Sequence, residues 1–277
     1  MQPDEYCQQK AAQSGSSFYY SFLFLPAERR LAITALYAFC REVDDTVDEC
    51  IDASIARTKL AWWRTEIGAM LSGVATHPVT KALTPHLKTY RMDGDQFLAI
   101  IDGMEMDLNQ TRYLDFVGLQ RYCWHVAGVV GSMSASIFGV SDPQTLQYAE
   151  KLGLAFQLTN IIRDVGEDAR KDRIYIPINE LQQFGVTAAD ILNARHSDNF
   201  ESLMRFQEQR AQGIYDEAFA LLPDVDRRAQ RPGLIMASIY RALLNEIQRD
   251  GFHVLKQRIS LTPIRKLWLA WTTYLRG

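Results

Sequence analysis

An all-α fold spanning residues 1–277 as one domain is what this sequence predicts, and three observations carry the prediction. Apolar residues recur at helical spacing through almost the whole chain, no stretch alternates apolar and polar residues long enough for a strand, and no low-complexity linker divides the runs. The apolar share of 47% and the charged share of 23% are those of an ordinary globular protein. A net charge of -3 gives no general attraction to nucleic acid, so an anionic ligand needs local arginines or a cation. Cys7, Cys40, Cys50 and Cys123 show no CxxC pair and no framework spacing, which fits reduced thiols in a cytoplasmic protein. The opening Met1-Gln2-Pro3-Asp4-Glu5 lacks the basic start and apolar run of a signal peptide, and no uncharged apolar run reaches the roughly 18 residues of a membrane span.

The elements follow in order. Residues 3–13 read as a helix that breaks at the serine cluster Ser14-Gly15-Ser16-Ser17, a natural cap or loop. Pro26 opens the next helix, and Glu28 to Glu49 contains no internal glycine or proline. Its apolar positions, among them Leu31, Ile33, Leu36, Phe39, Val43 and Val47, lie nearly all round, which predicts a central helix. Periodicity then predicts helices over 53–71, 78–90, 94–109 and 115–139, with breaks at Gly73, Pro78 and Gly94. A second long helix runs from Pro143 to Asp168, followed by the charged connector Ala169 to Pro177. Short helices near 178–183 and 187–193 and longer ones over 198–222, 233–250 and 263–275 complete the chain.

Two of these helices carry matching polar stripes. One holds Tyr37, Arg41, Asp44 and Asp48 at offsets of 0, 4, 7 and 11; the other holds Gln157, Asn160, Asp164 and Asp168 at 0, 3, 7 and 11. Residues four apart on a helix stand about 5–6 Å from each other between Cβ atoms, so each aspartate pair faces one way and repels itself. Charge on an otherwise apolar helix is costly unless it is compensated, so both stripes are expected to face one partly wet cavity. Four carboxylates there, with Asp45 and Glu167 close by, favour Mg²⁺ or Mn²⁺. Mg²⁺ usually keeps only one or two carboxylates and takes substrate phosphates besides, which points to a phosphorylated substrate. No Glu lies three residues before any histidine, and calcium-loop and P-loop patterns are missing.

The segments SGSSFYYSF (14–22), ALYAFCREVDDTVDE (35–49), DGMEMDL (102–108), YCWHVAGVVG (122–131) and QLTNIIRDVGEDARKDRIYIP (157–177) together resemble the squalene and phytoene synthase family. The resemblance covers nearly the whole chain. It implies an isoprenoid synthase-type helical bundle with a central apolar cavity, and the head-to-head joining of two prenyl diphosphates. Asp44, Asp48, Asp164 and Asp168 would be the metal ligands, with Asn160 beside them. Arg41 would contact one diphosphate, and Arg163 or the Arg170-to-Arg173 connector, Arg173 included, would hold the leaving group. Metal and arginine would stabilise the negative charge as the carbon–oxygen bond breaks, leaving an allylic carbocation. Tyr37, Phe18, Tyr122 and Tyr240 are the aromatic candidates for shielding that cation, each with simple core packing as its rival. Gln157 would line the cavity wall. Ser14, Ser16 and Ser17 would bind diphosphate or cap a helix. His125, in an apolar helix, reads as structural.

Within the family, the SGSSFYYSFLFLP opening with CREVDD is most similar to presqualene diphosphate synthases of bacterial hopanoid pathways, which implies two farnesyl diphosphates as substrates. Phytoene or dehydrosqualene is the alternative product. No NADPH is expected for the first half-reaction, and no Gly-x-Gly-x-x-Gly segment is present. A non-catalytic isoprenoid-binding or assembly factor would be expected to have degraded metal motifs, whereas both are intact. Finally, Ile264, Leu267, Trp268, Trp271 and Leu275 recur at helical spacing beside Arg265, Lys266 and Arg276. That pattern suits peripheral contact with a membrane surface, its rival being a stripe packed on the bundle.

Overall fold

The structure, a computed structural model, describes residues 1–13, 21–22, 24–50 and 52–276. Their regular structure is helical, apart from one isolated parallel bridge between Arg112 and Ile174, in agreement with the all-α expectation.

The first part of the chain forms α1 (Pro3–Gln13), α2 (Ala27–Asp48), α3 (Ala53–Leu71), α4 (Pro78–Leu83) and α5 (Gly94–Asn109). Local chemistry sets their starts: Asp52 caps α3 and Asp93 closes a capping box with Gln96 on α5. Expected over 78–90, α4 stops at Leu83 and passes into a 3₁₀ turn, Thr84–His86, at Pro85. Proline removes a backbone donor and clashes with the preceding turn. The α2 helix is central as anticipated: Ile33, Leu36, Phe39 and Val43 are fully buried, and Phe39 meets Trp63 and Phe97 edge-on at 5.6 and 5.2 Å.

Next come α6 (Phe116–Cys123), a π turn (Trp124–Gly128) and α7 (Val129–Phe138), where periodicity predicts one helix. The π turn lies where α5 passes closest. A Cβ on Gly103 would stand 2.7 Å from Val126 and 2.9 Å from His125, and His125 Nδ1 lies 3.0 Å from the Ala99 carbonyl. An extra residue in the turn is invisible to apolar periodicity. His125 is thus structural.

The longest helix, α8 (Gln144–Arg170), packs on α7, on α11 (Asp198–Leu221) and on α13 (Arg231–Arg249). Between them lie the short α9 (Ile178–Gln183), α10 (Ala188–Leu192) and α12 (Asp224–Arg227), the last unanticipated by the sequence pattern; α14 (Pro263–Arg276) packs on α13. Glycines let α8 approach its neighbour closely: a Cβ on Gly131 would lie 2.3 Å from the Ala149 carbonyl, and one on Gly153 2.4 Å from that of Ala127. Two apolar clusters result, one around α2, α3 and α5, the other around α8, α11 and α13, and Val126 packs against both.

Candidate active site

The two polar stripes face each other across one cavity of about 1280 Å³ of atom-free space. Arg41, Asp44 and Asp48 line it from α2, and Gln157, Asn160, Arg163, Asp164, Glu167 and Asp168 from α8. A second, smaller and mainly apolar cavity is walled by Tyr37, Phe22, Phe138, Tyr148, Phe156 and small residues such as Ala127, Gly131 and Gly153. Gln157 and Asn160 belong to both walls, so the charged cavity and the apolar one adjoin at their side chains.

Each carboxylate has its own surroundings. Asp44 pairs with Arg41 at 2.7 Å, yet burial pushes its carboxyl up to about 6 against the pull of that arginine. Asp48 is reached from α8's far end by Lys171 at 2.8 Å and Arg173 at 2.7 Å. Burial opposes ionisation of Asp48, but these two hydrogen bonds outweigh it and hold the carboxyl below its usual range. Asp164 likewise stays low despite burial, because Arg163 binds it through two nitrogens and Arg258 donates to it at 2.9 Å. Asp168 has neither an ion pair nor a side-chain hydrogen bond among the described residues. Burial and then the Asp164 charge raise it to about 7. Asp45 does not line the cavity; it holds Arg41 at 2.6 Å and Lys10 of α1 at 2.8 Å.

The connector geometry explains how cations reach Asp48. Asp172 adopts a left-handed conformation (φ 57°), tolerated by Asp, which turns the chain back after α8. Arg112 holds that turn through the Asp172 carboxylate at 2.9 Å, and Ile174 N–H donates to Thr111 O at 3.0 Å. On the other side, residues 253–258 cross over α8 against Gly166, where a Cβ would lie 2.3 Å from the Leu255 carbonyl oxygen. The glycine between the two aspartates therefore allows the crossing that brings Arg258 to Asp164.

The residues also fit a divalent cation. Asn160 Oδ1 is buried without a hydrogen-bond partner, while Nδ2 donates to Gln157 at 3.3 Å, so a hard oxygen donor stands unused among carboxylates. Among the described residues, however, no three acidic, histidine or cysteine side chains cage an ion by themselves. An ion held here would have to complete its shell with phosphate oxygens and water.

Some anticipated residues lie elsewhere. Ser14, Ser16, Ser17 and Phe18 fall outside the described residues. Tyr122, expected in an apolar pocket, is buried at the wall of the charged cavity and donates to Asp107 at 2.8 Å. Tyr240 is buried against Phe156, with ring centroids 5.1 Å apart, and its hydroxyl bonds Arg163; it lines neither cavity. Aromatic residues do wall the apolar cavity, but Phe22, Phe138, Tyr148 and Phe156 accompany Tyr37 instead. Sequence reasoning also missed Asp107, Tyr175 and Arg258. Asp107 accepts from both Tyr122 and Tyr175, and burial raises it to about 6. Its signal was an aspartate flanked by Met104, Met106 and Leu108; a lone arginine in an irregular segment left none for Arg258.

Comparison with known proteins gives the family. The family model for squalene/phytoene synthase matches residues 11–265. Phytoene synthase of Arthrospira platensis is 37% identical, over 95% of this chain and 89% of the relative. The 15-cis-phytoene synthase of Synechocystis sp. is 34% identical, over 96% and 84% respectively. Among solved structures, a dehydrosqualene synthase in complex with ligand superposes with a TM-score of 0.86 at 27% identity, covering 99% of this chain and 96% of that one. Squalene synthase HpnC from Alicyclobacillus acidocaldarius gives 0.79 at 29% identity, covering 90% and 94%. Two facing aspartate helices over an apolar cavity, and a match along most of the chain, place it in the squalene/phytoene synthase family, whose members are prenyltransferase-type enzymes.

Proposed function

We propose that this protein joins two prenyl diphosphates head to head, and that its product is phytoene, made from two geranylgeranyl diphosphates. One observation carries the reaction type: a cavity of paired carboxylates and arginines adjoins, at Gln157 and Asn160, an apolar, aromatic-walled cavity. A diphosphate head and a prenyl tail need those two environments side by side. The choice of phytoene is supported by curated relatives named as phytoene synthases at 34–37% identity. A second reading, presqualene diphosphate from two farnesyl diphosphates, is supported by the SGSSFYYSFLFLP opening and by the likeness to squalene and dehydrosqualene synthases.

In this reading Asp44, Asp48, Asp164, Asp168 and Asn160 would hold Mg²⁺, with Mn²⁺ as a substitute. When bound, the cation would supply Lewis-acid neutralisation of diphosphate charge. The chain's own residues do the rest. Lys171, Arg173 and Arg258, now held on Asp48 and Asp164, stand within reach of a departing diphosphate and can exchange carboxylate for phosphate. Arg163 fixes Asp164, and Arg41 is steadied by Asp45. The allylic cation left behind lies beside Tyr37 and Phe156, whose faces attract it by about 0.5–2 kcal/mol each and keep water away.

The test is to incubate purified protein and Mg²⁺ with farnesyl or geranylgeranyl diphosphate, with and without NADPH, and identify products by mass spectrometry. Phytoene from the longer substrate is expected. Presqualene diphosphate from the shorter one, with no turnover of the longer, would replace the phytoene reading by the second.

A further inference from the structure

The first helix touches the machinery of the candidate active site from outside its cavity. With about 100° of turn per residue, Asp44 and Asp48 share the face of α2 that lines the charged cavity, while Glu42 and Asp45 share a face turned toward α1. Arg41 lies between the two faces and bonds both. One guanidinium nitrogen donates to Asp44 Oδ2 at 2.7 Å, and the other to Asp45 Oδ1 at 2.6 Å.

On α1, Cys7 is buried, and Tyr6 meets His77 edge-on at 5.6 Å while its hydroxyl donates to Glu42 at 2.5 Å. One turn further on, the Lys10 ammonium stands between Glu42 Oε1 at 3.1 Å and Asp45 Oδ2 at 2.8 Å. The side chains of Lys10, Glu42 and Asp45 are only 24, 15 and 16% exposed, so these contacts are not the water-screened pairs of an open surface. Among the described residues, the Asp45 carboxylate has two side-chain partners, Arg41 on one oxygen and Lys10 on the other.

That division decides what Arg41 can do. A guanidinium and a carboxylate left to themselves readily form two parallel bonds, one nitrogen to each oxygen. With Lys10 on Oδ2, Asp45 offers Arg41 a single oxygen, and the second guanidinium nitrogen stays turned to Asp44 and the cavity. Once Asp44 turns to a cation, that nitrogen is left for a diphosphate oxygen, while Asp45 still fixes the first. Without Lys10, Oδ2 is open to the same nitrogen, and the guanidinium is drawn from the cavity toward Asp45.

We propose that Lys10 is a positioning residue for diphosphate binding: by occupying Asp45 Oδ2 from α1, it keeps Asp45 from taking both Arg41 nitrogens. Resting on the prenyl diphosphate reading above, this role makes α1 a determinant of substrate affinity.

Calorimetric titration of the purified full chain with inorganic diphosphate and Mg²⁺ measures that affinity, and steady-state kinetics on the prenyl diphosphate that wild type turns over separates KM from kcat. Lys10→Met keeps the aliphatic stem and loses the charge. It should weaken diphosphate binding and raise KM by about tenfold, with kcat within about twofold and circular dichroism unchanged. Lys10→Arg, which returns a charged donor to Asp45, should recover most of the loss. Tyr6→Phe removes the other α1 bond to Glu42 and should lower the melting temperature, yet bind diphosphate like wild type, because Tyr6 does not reach Asp45. In an Asp45→Asn background, Lys10→Met should have no further effect, as expected of two residues acting through one contact. Wild-type affinity in Lys10→Met, an equal loss of affinity in Tyr6→Phe, or full additivity with Asp45→Asn would each overturn the role of Lys10 and leave the prenyl diphosphate reading standing. Absence of diphosphate binding by wild type in Mg²⁺ would overturn both.

Discussion

Gly166→Ala tests how the second aspartate helix is built, because its consequence can be worked from distances. A Cβ at this position would meet the Leu255 carbonyl oxygen at 2.3 Å, the Leu255 carbonyl carbon at 2.6 Å and the Val254 oxygen at 2.6 Å, all of them backbone atoms. Ordinary contact begins at 3.4 Å, so residues 253–258 must retreat by about 1 Å. Alanine is favoured over glycine in a helix by about 1 kcal/mol, and overpacking costs about 1–3 kcal/mol, so a net loss of about 1 kcal/mol is expected. The larger effect falls on the site. Arg258 Nε now sits 2.9 Å from Asp164, and a 1 Å retreat takes it out of hydrogen-bond range. Misplacement of that size can lower turnover by about 10²-fold. Gly68 on α3 is the control, since a Cβ there meets nothing within 4 Å and Gly68→Ala should stabilise the protein by up to about 1 kcal/mol. Thermal melting and steady-state turnover of both variants read the outcome. Wild-type turnover in Gly166→Ala would refute the claim that the crossing segment positions Arg258.

Three further predictions concern charge. Replacing Asp48 or Asp164 by Asn should lower turnover by about 10²-fold or more with the helical signal intact, and retained activity would remove the metal-site reading. Glu66 is buried and accepts from Thr76 N–H and Oγ1, His77 N–H and Thr80 Oγ1; these bonds overcome its desolvation and lower it to about 2. Its contribution is complete above pH 4.5 and is lost as pH falls toward 2. Glu66→Gln should therefore cost up to about 3 kcal/mol at neutral pH, and an unchanged melting temperature would contradict this. Asp44 and Asp168 shift the other way, to about 6 and about 7, so the folded state takes up protons there and loses stability as pH rises through that window. A cation binds the ionised forms, so the rise in melting temperature caused by Mg²⁺ should be greater at pH 8 than at pH 6; a pH-independent rise would show that these carboxylates do not hold it.

Much of this arrangement was legible because helices reveal themselves through breaks and period. Pro26 and the breaks at Gly73, Pro78 and Gly94 marked helix ends, and the two polar stripes stood out because charge on an apolar helix demands a reason; the caps Asp52, Asp93, Asp115 and Ser197 came to light only in the structure. The hidden parts depend on contacts between distant segments. Asp107 gains its meaning from Tyr122 and Tyr175, fifteen and 68 residues away, and Arg258 from Asp164, 94 residues away. The π turn shifts the face of α6 relative to α7 by one residue, which periodicity over a window smooths out. Which aromatics wall the apolar cavity was decided by the Gly131 and Gly153 crossings, and those glycines carry no polarity to flag them.

The most direct measurement of the central claim is a crystal structure with Mg²⁺ and a non-hydrolysable prenyl thiodiphosphate. The geometry predicts the diphosphate between the Asp44–Asp48 and Asp164–Asp168 faces, with the tail passing Gln157 and Asn160 toward Tyr37 and Phe156. A diphosphate bound away from both aspartate faces, or a tail lying outside the apolar cavity, would contradict it.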